Sequence, residues 1–248
     1  VTDLTITEVQ PNAPANITVP DNVKTPSPPP PVRVAVKQVA DGIWHLAGGS
    51  HHTVVVEFND HVVAIDGPQN EARSLAVIAE VGKLAPNKPI RYLVNTHHHF
   101  DHSGGVRTYA AEGATLITHQ TNKPYFEKAY MVPRTLNPDR LAQSGKKAKI
   151  ETVNEKRVLT DGSRTLELHL VKNTHSDGLI VAYLPKEKIL VEADLYQTAP
   201  LLYLGFAREL NQNIERLKLD VTQVLPIHGE IFTLADLQKA VAHAPARQ

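Results

Sequence analysis

Residues 96–102 read Thr-His-His-His-Phe-Asp-His, the densest run of chemistry-bearing side chains in the sequence. Imidazole nitrogen and carboxylate oxygen together suit zinc, and also iron or manganese. The run follows Arg91-Tyr92-Leu93-Val94-Asn95, which reads as a strand. In extended backbone, residues two apart face the same side, so His97 and His99 can converge on one ion while His98 faces away. Asp101 and His102 come next, where the chain must turn into Ser103-Gly104-Gly105, and this adjacent pair can hold a second ion nearby. Taken alone, the run also admits a blander reading, as an exposed, adventitious metal binder or as His98 and its neighbours lining a polar loop. Three distant donors shift that balance. His175 sits in Asn173-Thr174-His175-Ser176-Asp177-Gly178, Asp194 ends the apolar run from Ile189, and His228 follows Pro226-Ile227 and precedes Gly229. All three fall at strand termini beside turn residues, where sites of layered α/β folds gather.

The elements that must position these donors are read from periodicity and turn chemistry. Strands are expected over Val32 to Val39 and Ile43 to Ala47, and a hairpin over His52 to Phe58 and His61 to Ile65 around Asn59-Asp60. Asn70 can cap a helix through Lys83, with Leu75, Ile78, Ala79 and Gly82 on one face. A buried strand over Ile90 to Asn95, a helix over Ser103 to Ala111, a strand over Thr115 to Thr118 and a helix over Lys123 to Tyr130 follow. Residues 131–149, with Pro133, Pro138 and Gly145, read as a long irregular excursion of the kind that serves as a lid. Hairpins are expected over Val158 to Leu170, around Asp161-Gly162, and over Leu179 to Glu192, turning at Pro185-Lys186-Glu187. A helix over 207–219, a strand over Thr222 to Ile227 and a helix opened by a Thr233/Asp236 capping box complete the chain. Two strand-rich halves with helices between them suggest two sheets covered by helices.

The seven donors, as His-x-His-x-Asp-His followed by a His, an Asp and a final His, resemble the signature of the metallo-β-lactamase superfamily. Asp66, in Ala64-Ile65-Asp66-Gly67, matches that family's early strand-end aspartate, and the similarity covers about residues 33–245. The resemblance implies an α/β chain folded as a four-layer αββα sandwich with two metals at one edge of the sheets. His97, His99 and His175 would hold the first ion, Asp101, His102 and His228 the second, and Asp194 would bridge them. Two zinc ions are implied, with iron or manganese as the alternatives. Asp101, beside the nucleophilic oxygen, would orient it or relay its proton and is the candidate catalytic residue. His51 and His52, after Gly48-Gly49, lie on an early loop that in this fold approaches the site. His52 and Tyr196, two residues after Asp194, are the candidate substrate-binding residues, and Tyr203 is a further pocket candidate. Trp44 is expected to pack.

Asp194 narrows the choice of activity. Dedicated zinc β-lactamases usually carry cysteine or serine there, whereas glyoxalase II, lactonases and RNase Z-type nucleases carry the aspartate. The implied activity is dinuclear zinc hydrolysis, in which a metal-bound hydroxide attacks a small-molecule β-lactam, lactone, ester or thioester carbonyl. The alternative is a mononuclear-iron sulfur dioxygenase-like or other redox enzyme on the same fold. Flavodiiron proteins carry glutamate where His99 stands, which argues against them.

Composition bounds the rest. Lys+Arg and Asp+Glu both total 26 in 248 residues, a balance that argues against holding nucleic acid through a broad cationic surface. No stretch approaches the ~20 apolar residues of a membrane span. Cysteine is absent, which removes disulfides, thiolate ligands and a cysteine nucleophile, while histidine numbers 13. A periplasmic or secreted location is expected, with the cytoplasm left open. Eight of 18 prolines fall within residues 1–31, ending in four consecutive prolines, so that segment reads as a semi-rigid linker preceded by a strand over Leu4 to Val9. It either packs on the catalytic domain, residues 32–248, or is the trailing edge of an upstream domain.

Overall fold

The computed structural model describes residues 4–14, 17–24, 31–198 and 204–243. The chain divides into two compact units, Val1–Pro31 and Val32–Gln248. In the first, the strand expected over Leu4 to Val9 does not form, and a single turn of helix, α1 (Asp21–Lys24), is the regular element among the described residues. Alternation alone cannot hold a strand, because each strand needs a hydrogen-bonding neighbour.

The second unit is a four-layer αββα sandwich built on two sheets. The first sheet runs in sequence order: β1 (Ala35–Ala40), β2 (Ile43–Ala47), β3 (Thr53–Glu57), β4 (Val62–Ile65), β5 (Ile90–Val94), β6 (Thr115–His119) and β7 (Lys149–Val153). Strands β1 to β4 are antiparallel, and β4 to β7 are parallel. The second sheet holds β8 (Lys156–Thr160), β9 (Thr165–Leu170), β10 (Ile180–Leu184), β11 (Ile189–Glu192), β12 (Gln223–Pro226) and β13 (Phe232–Thr233). Its one parallel pair is β11 with β12.

Side-chain alternation explains the layering. Val54, Val56, Val63 and Ile65 face Leu166, Leu168, Ile180 and Val191 between the sheets. Their neighbours Val55, Val62 and Ala64 face outward, under α2 (Glu71–Leu84), α4 (Val106–Glu112) and α5 (Lys123–Met131). Val181, Tyr183 and Leu190 face α7 (Leu204–Leu217) and α8 (Leu234–His243). Both faces of both sheets are therefore covered, which is why Val62 to Ile65 is an unbroken apolar run rather than an alternating one. Trp44 packs in the outer layer of the first sheet. No helix among the described residues is long and apolar enough to cross a membrane.

Asn70 caps α2 as expected, accepting from Arg73 N at 2.9 Å. The buried face of that helix is nevertheless Arg73, Ser74, Val77 and Val81, not the Leu75, Ile78, Ala79 and Gly82 stripe. Arg73 turns inward to donate to Leu46 O at 2.8 Å, a partner far away in sequence. The helix expected over Ser103 to Ala111 is two helices, α3 (Phe100–Ser103) and α4, divided at Gly104-Gly105. A Cβ at Gly104 would lie 2.0 Å from Gln69 O, so glycine is what lets α3 approach the turn before α2. Residues 131–149 are not wholly irregular. Asp139 caps the short helix α6 (Arg140–Ser144) and pairs with Arg107, and Leu141 packs on Ala110 and Ala111. The segment is thus tied to α4, and it leads into the unexpected edge strand β7.

Candidate metal centre

The parallel strands of both sheets end at the same edge, and the seven donors are carried there by the loops and by α3. Asp66 follows β4 and the histidine run follows β5. His175 lies between β9 and β10, Asp194 follows β11 and His228 follows β12. A bond between Ile180 N and Thr96 O, at 2.9 Å, fastens the second sheet to the histidine run. Both strand-end aspartates are left-handed, at φ 61° for Asp66 and 62° for Asp194. Non-glycine residues rarely adopt that conformation, and strain of this kind collects at functional sites.

Two donor groups result, each with one atom per residue within 4.8 Å of the others: His97, His99, His175 and Asp194, and His51, Asp101, His102 and His228. The rings of His97 and His99 are 4.5 Å apart and both adjoin His175, while His98 turns to Tyr125, as the two-residue period requires. Asp194 reaches both groups. Its Oδ2 lies 3.2 Å from His97 Nε2, 2.9 Å from His175 Nε2 and 3.1 Å from His102 Nε2. Its Oδ1 lies 2.8 Å from His228 Nε2. Asp101 is the open-side carboxylate, 47% exposed, with its Oδ2 3.1 Å from His51 Nε2.

Supporting hydrogen bonds select the ligand nitrogen. His102 Nδ1 donates to Asp66 Oδ2 at 2.9 Å, and His228 Nδ1 donates to Ser50 O at 3.1 Å. Asp66 is fully buried and also accepts from Thr96 N at 2.7 Å and Thr96 Oγ1 at 2.8 Å. With Nδ1 engaged in this way, Nε2 is the atom each ring has left for an ion, and the two Nε2 atoms are 3.0 Å apart beside Asp194. Lone pairs and carboxylates gathered this closely repel unless cations lie among them, so the donor set fits a pair of divalent ions. Imidazole and carboxylate suit zinc, iron or manganese alike.

Metal-free electrostatics make the same point. Burial raises the Asp194 carboxyl, but hydrogen bonds from His102, His175, His228 and His97 hold it far below the usual carboxylate range. Burial pulls His102 down, and Asp194 and Asp66 outweigh it, lifting it to about 10. His97, in contrast, is pulled down to about 4 by burial. His97 and His102 would hold an ion in place of the protons that the metal-free electrostatics put on His102.

Neither substrate-binding candidate turns its ring to the donor groups. His52 is 8% exposed, donates from Nε2 to Gly229 O at 3.1 Å and packs its ring on His45, because its neighbour His51 takes the inward side. Tyr196 lies edge-on to Phe232 in the layer under α7 and α8. Tyr203 lies outside the described residues. His51 joins the second donor group, which period-two alternation over His51-His52 could have flagged only with the strand's facing known. His61 pairs with Asp60, His119 with Thr121 and His169 with Glu167, all away from the donors.

The family model for the metallo-beta-lactamase superfamily matches residues 46–242. Among solved structures, a metallo-beta-lactamase from Pontibacter korlensis superposes with a TM-score of 0.64 at 18% identity, covering 85% of this chain and 98% of that one. A metallo beta lactamase from Hirschia baltica gives 0.63 at 19% identity, covering 84% and 96%. At such identities the likeness is one of fold. A curated relative, the 2,4-dinitroanisole O-demethylase subunit alpha of a Nocardioides species, is 23% identical over 171 residues, 67% of this chain. The match spans about half of that relative's length, 48%.

Proposed function

Because the chain belongs to the metallo-β-lactamase superfamily, we propose that it is a dinuclear zinc hydrolase of small carbonyl substrates: a β-lactam, lactone, ester or thioester. The observation that carries this reading is Asp194, one carboxylate within 3.2 Å of histidines from both donor groups. His97, His99 and His175 would hold one ion, Asp101, His102 and His228 the other, and Asp194 would serve both. When bound, such ions lower the pKa of a water from 15.7 towards about 7 and polarise a carbonyl oxygen.

The protein's own groups do the positioning. Asp194 and Asp101 supply negative charge against two dications. Asp66 and the Ser50 carbonyl hold the Nδ1 protons of His102 and His228, so that both Nε2 atoms stay free to bind. His97 and His102 are fully buried, which keeps water from the inner wall, whereas Asp101 stands on the open side and can accept a proton from the attacking water.

Metal analysis is the direct test. Purified protein should carry two zinc ions per chain and turn over nitrocefin, a homoserine lactone or S-lactoylglutathione, with turnover lost in His175→Ala. One tightly held iron with visible absorption and oxygen consumption would sink the proposal in favour of a redox enzyme. The curated relative supports one further substrate class, since its name gives an aryl methyl ether. Adding 2,4-dinitroanisole to the panel tests it: addition of water would release dinitrophenolate and methanol.

A further inference from the structure

We infer that His51 is a fourth side-chain donor of the second metal site, beyond Asp101, His102 and His228. This rests on the two-metal reading above and adds a ligand to it. His51 Nε2 lies 3.1 Å from Asp101 Oδ2, and the His51 ring is 4.1 Å from the His228 ring and 5.7 Å from the His102 ring. One donor atom from each of the four residues lies within 4.8 Å of the other three. The side chain is 12% exposed, so it is not a passing surface histidine.

The loop from β2 to β3 is fastened so that the ring stays there. Arg73 Nη2 donates to Leu46 O at 2.8 Å beneath the loop. His52 N donates to Ile227 O at 2.9 Å, His52 Nε2 to Gly229 O at 3.1 Å and His228 Nδ1 to Ser50 O at 3.1 Å. Gly48 leaves room for the Arg73 guanidinium: a Cβ there would lie 2.4 Å from it. The same bonds tie His51 to the loop that carries His228, so the two imidazoles are placed as a pair.

Tautomer chemistry permits ligation. Ser50 Oγ is 2.7 Å from His51 Nδ1, closer than the Gln69 amide nitrogen at 3.4 Å, and can accept its proton, which leaves the Nε2 lone pair facing Asp101 and His228. A lone pair so close to a carboxylate oxygen is unfavourable by itself and favourable around a shared borderline dication such as zinc. The competing role is that of a positioning residue, in which a protonated Nε2 donates to Asp101 and never touches metal.

Cobalt(II) titration of metal-free protein separates the roles, because its visible absorption reports the ligands. Wild type should take up two equivalents. His51→Ala should bind the first as wild type does and the second at least roughly tenfold more weakly, the lower end of what loss of a supporting group alone does. His51→Gln keeps a hydrogen-bond donor for Asp101 without an imidazole, and should remain as weak as the alanine variant. Wild-type second-site affinity in His51→Ala, or full recovery in His51→Gln, overturns the inference. Wild type that takes up fewer than two equivalents overturns the two-metal reading instead. First-site binding in both variants doubles as the check that they are folded.

Discussion

Replacing Asp66 by Asn alters the chemistry of one oxygen and almost no volume, and it should weaken the second metal site without touching a ligand. Asp66 is fully buried at φ 61°, a conformation Asn tolerates. Its Oδ1 accepts from Thr96 N, while Oδ2 accepts from both Thr96 Oγ1 and His102 Nδ1, at 2.8 and 2.9 Å. The amide oxygen of Asn will keep the Thr96 N–H, so the new NH2 group faces the other two donors. The Thr96 hydroxyl can rotate and accept, but His102 Nδ1 can accept only by giving up its proton. That proton then moves to Nε2, the atom 3.1 Å from Asp194, where an ion must bind. Loss of such a supporting group costs roughly 10–100-fold in metal affinity, which is about 1.4–2.8 kcal/mol. The mispaired buried donor should separately lower folding stability by about 1–3 kcal/mol. Chelator competition measures the first quantity and urea unfolding of metal-free protein the second. An Asp66→Asn variant that holds the second ion within twofold of wild type would refute the idea that Asp66 sets the His102 tautomer.

Two glycines should respond oppositely to alanine. Gly104→Ala places a methyl 2.0 Å from Gln69 O, backbone that cannot yield cheaply, so α3 must shift with Asp101 and His102; a loss of about 2–3 kcal/mol and weaker second-site binding are expected. Gly82→Ala, on the exposed side of α2 with nothing within 4 Å, should instead gain about 0.5–1 kcal/mol in urea unfolding, and a loss there would mean the α2 packing is misassigned. Burial, helped by His45, pulls His52 down to about 4, against about 6.5 in an unfolded chain. Between those values only the unfolded chain takes the proton, so stability falls as pH drops from about 6.5 towards 4. His52→Gln can still donate to Gly229 O and should flatten that acid limb of the metal-free protein's stability curve; an unchanged slope would show that His52 does not govern it.

Much of the site is legible in the sequence, because its chemistry is local. His97 and His99 share a side through the period of a strand, and their rings lie 4.5 Å apart in the fold. Capping is equally local: the Asn70 cap and the Thr233/Asp236 box both form as their spacing predicts. What escapes the sequence is non-local. The face of α2 differs from its apolar stripe because Arg73 is buried by a carbonyl, Leu46 O, that no helical period can announce. Strand β7 shows β-branched Ile150, Thr152 and Val153 but no clean apolar alternation, because Lys149–Val153 is a half-polar edge settled by pairing with β6.

Sequence alone determined the donor types, their order and the turns beside them, since these depend on side-chain chemistry and on torsions a few residues long. Only the tertiary structure decided which histidine of the pair 51–52 joins the donor groups. That outcome depends on bonds from the β2–β3 loop to Ile227 and Gly229, partners about 175 residues away. The closure of two sheets against one core brings Asp194 to donors from both halves of the chain, and that register is a property of the packed whole.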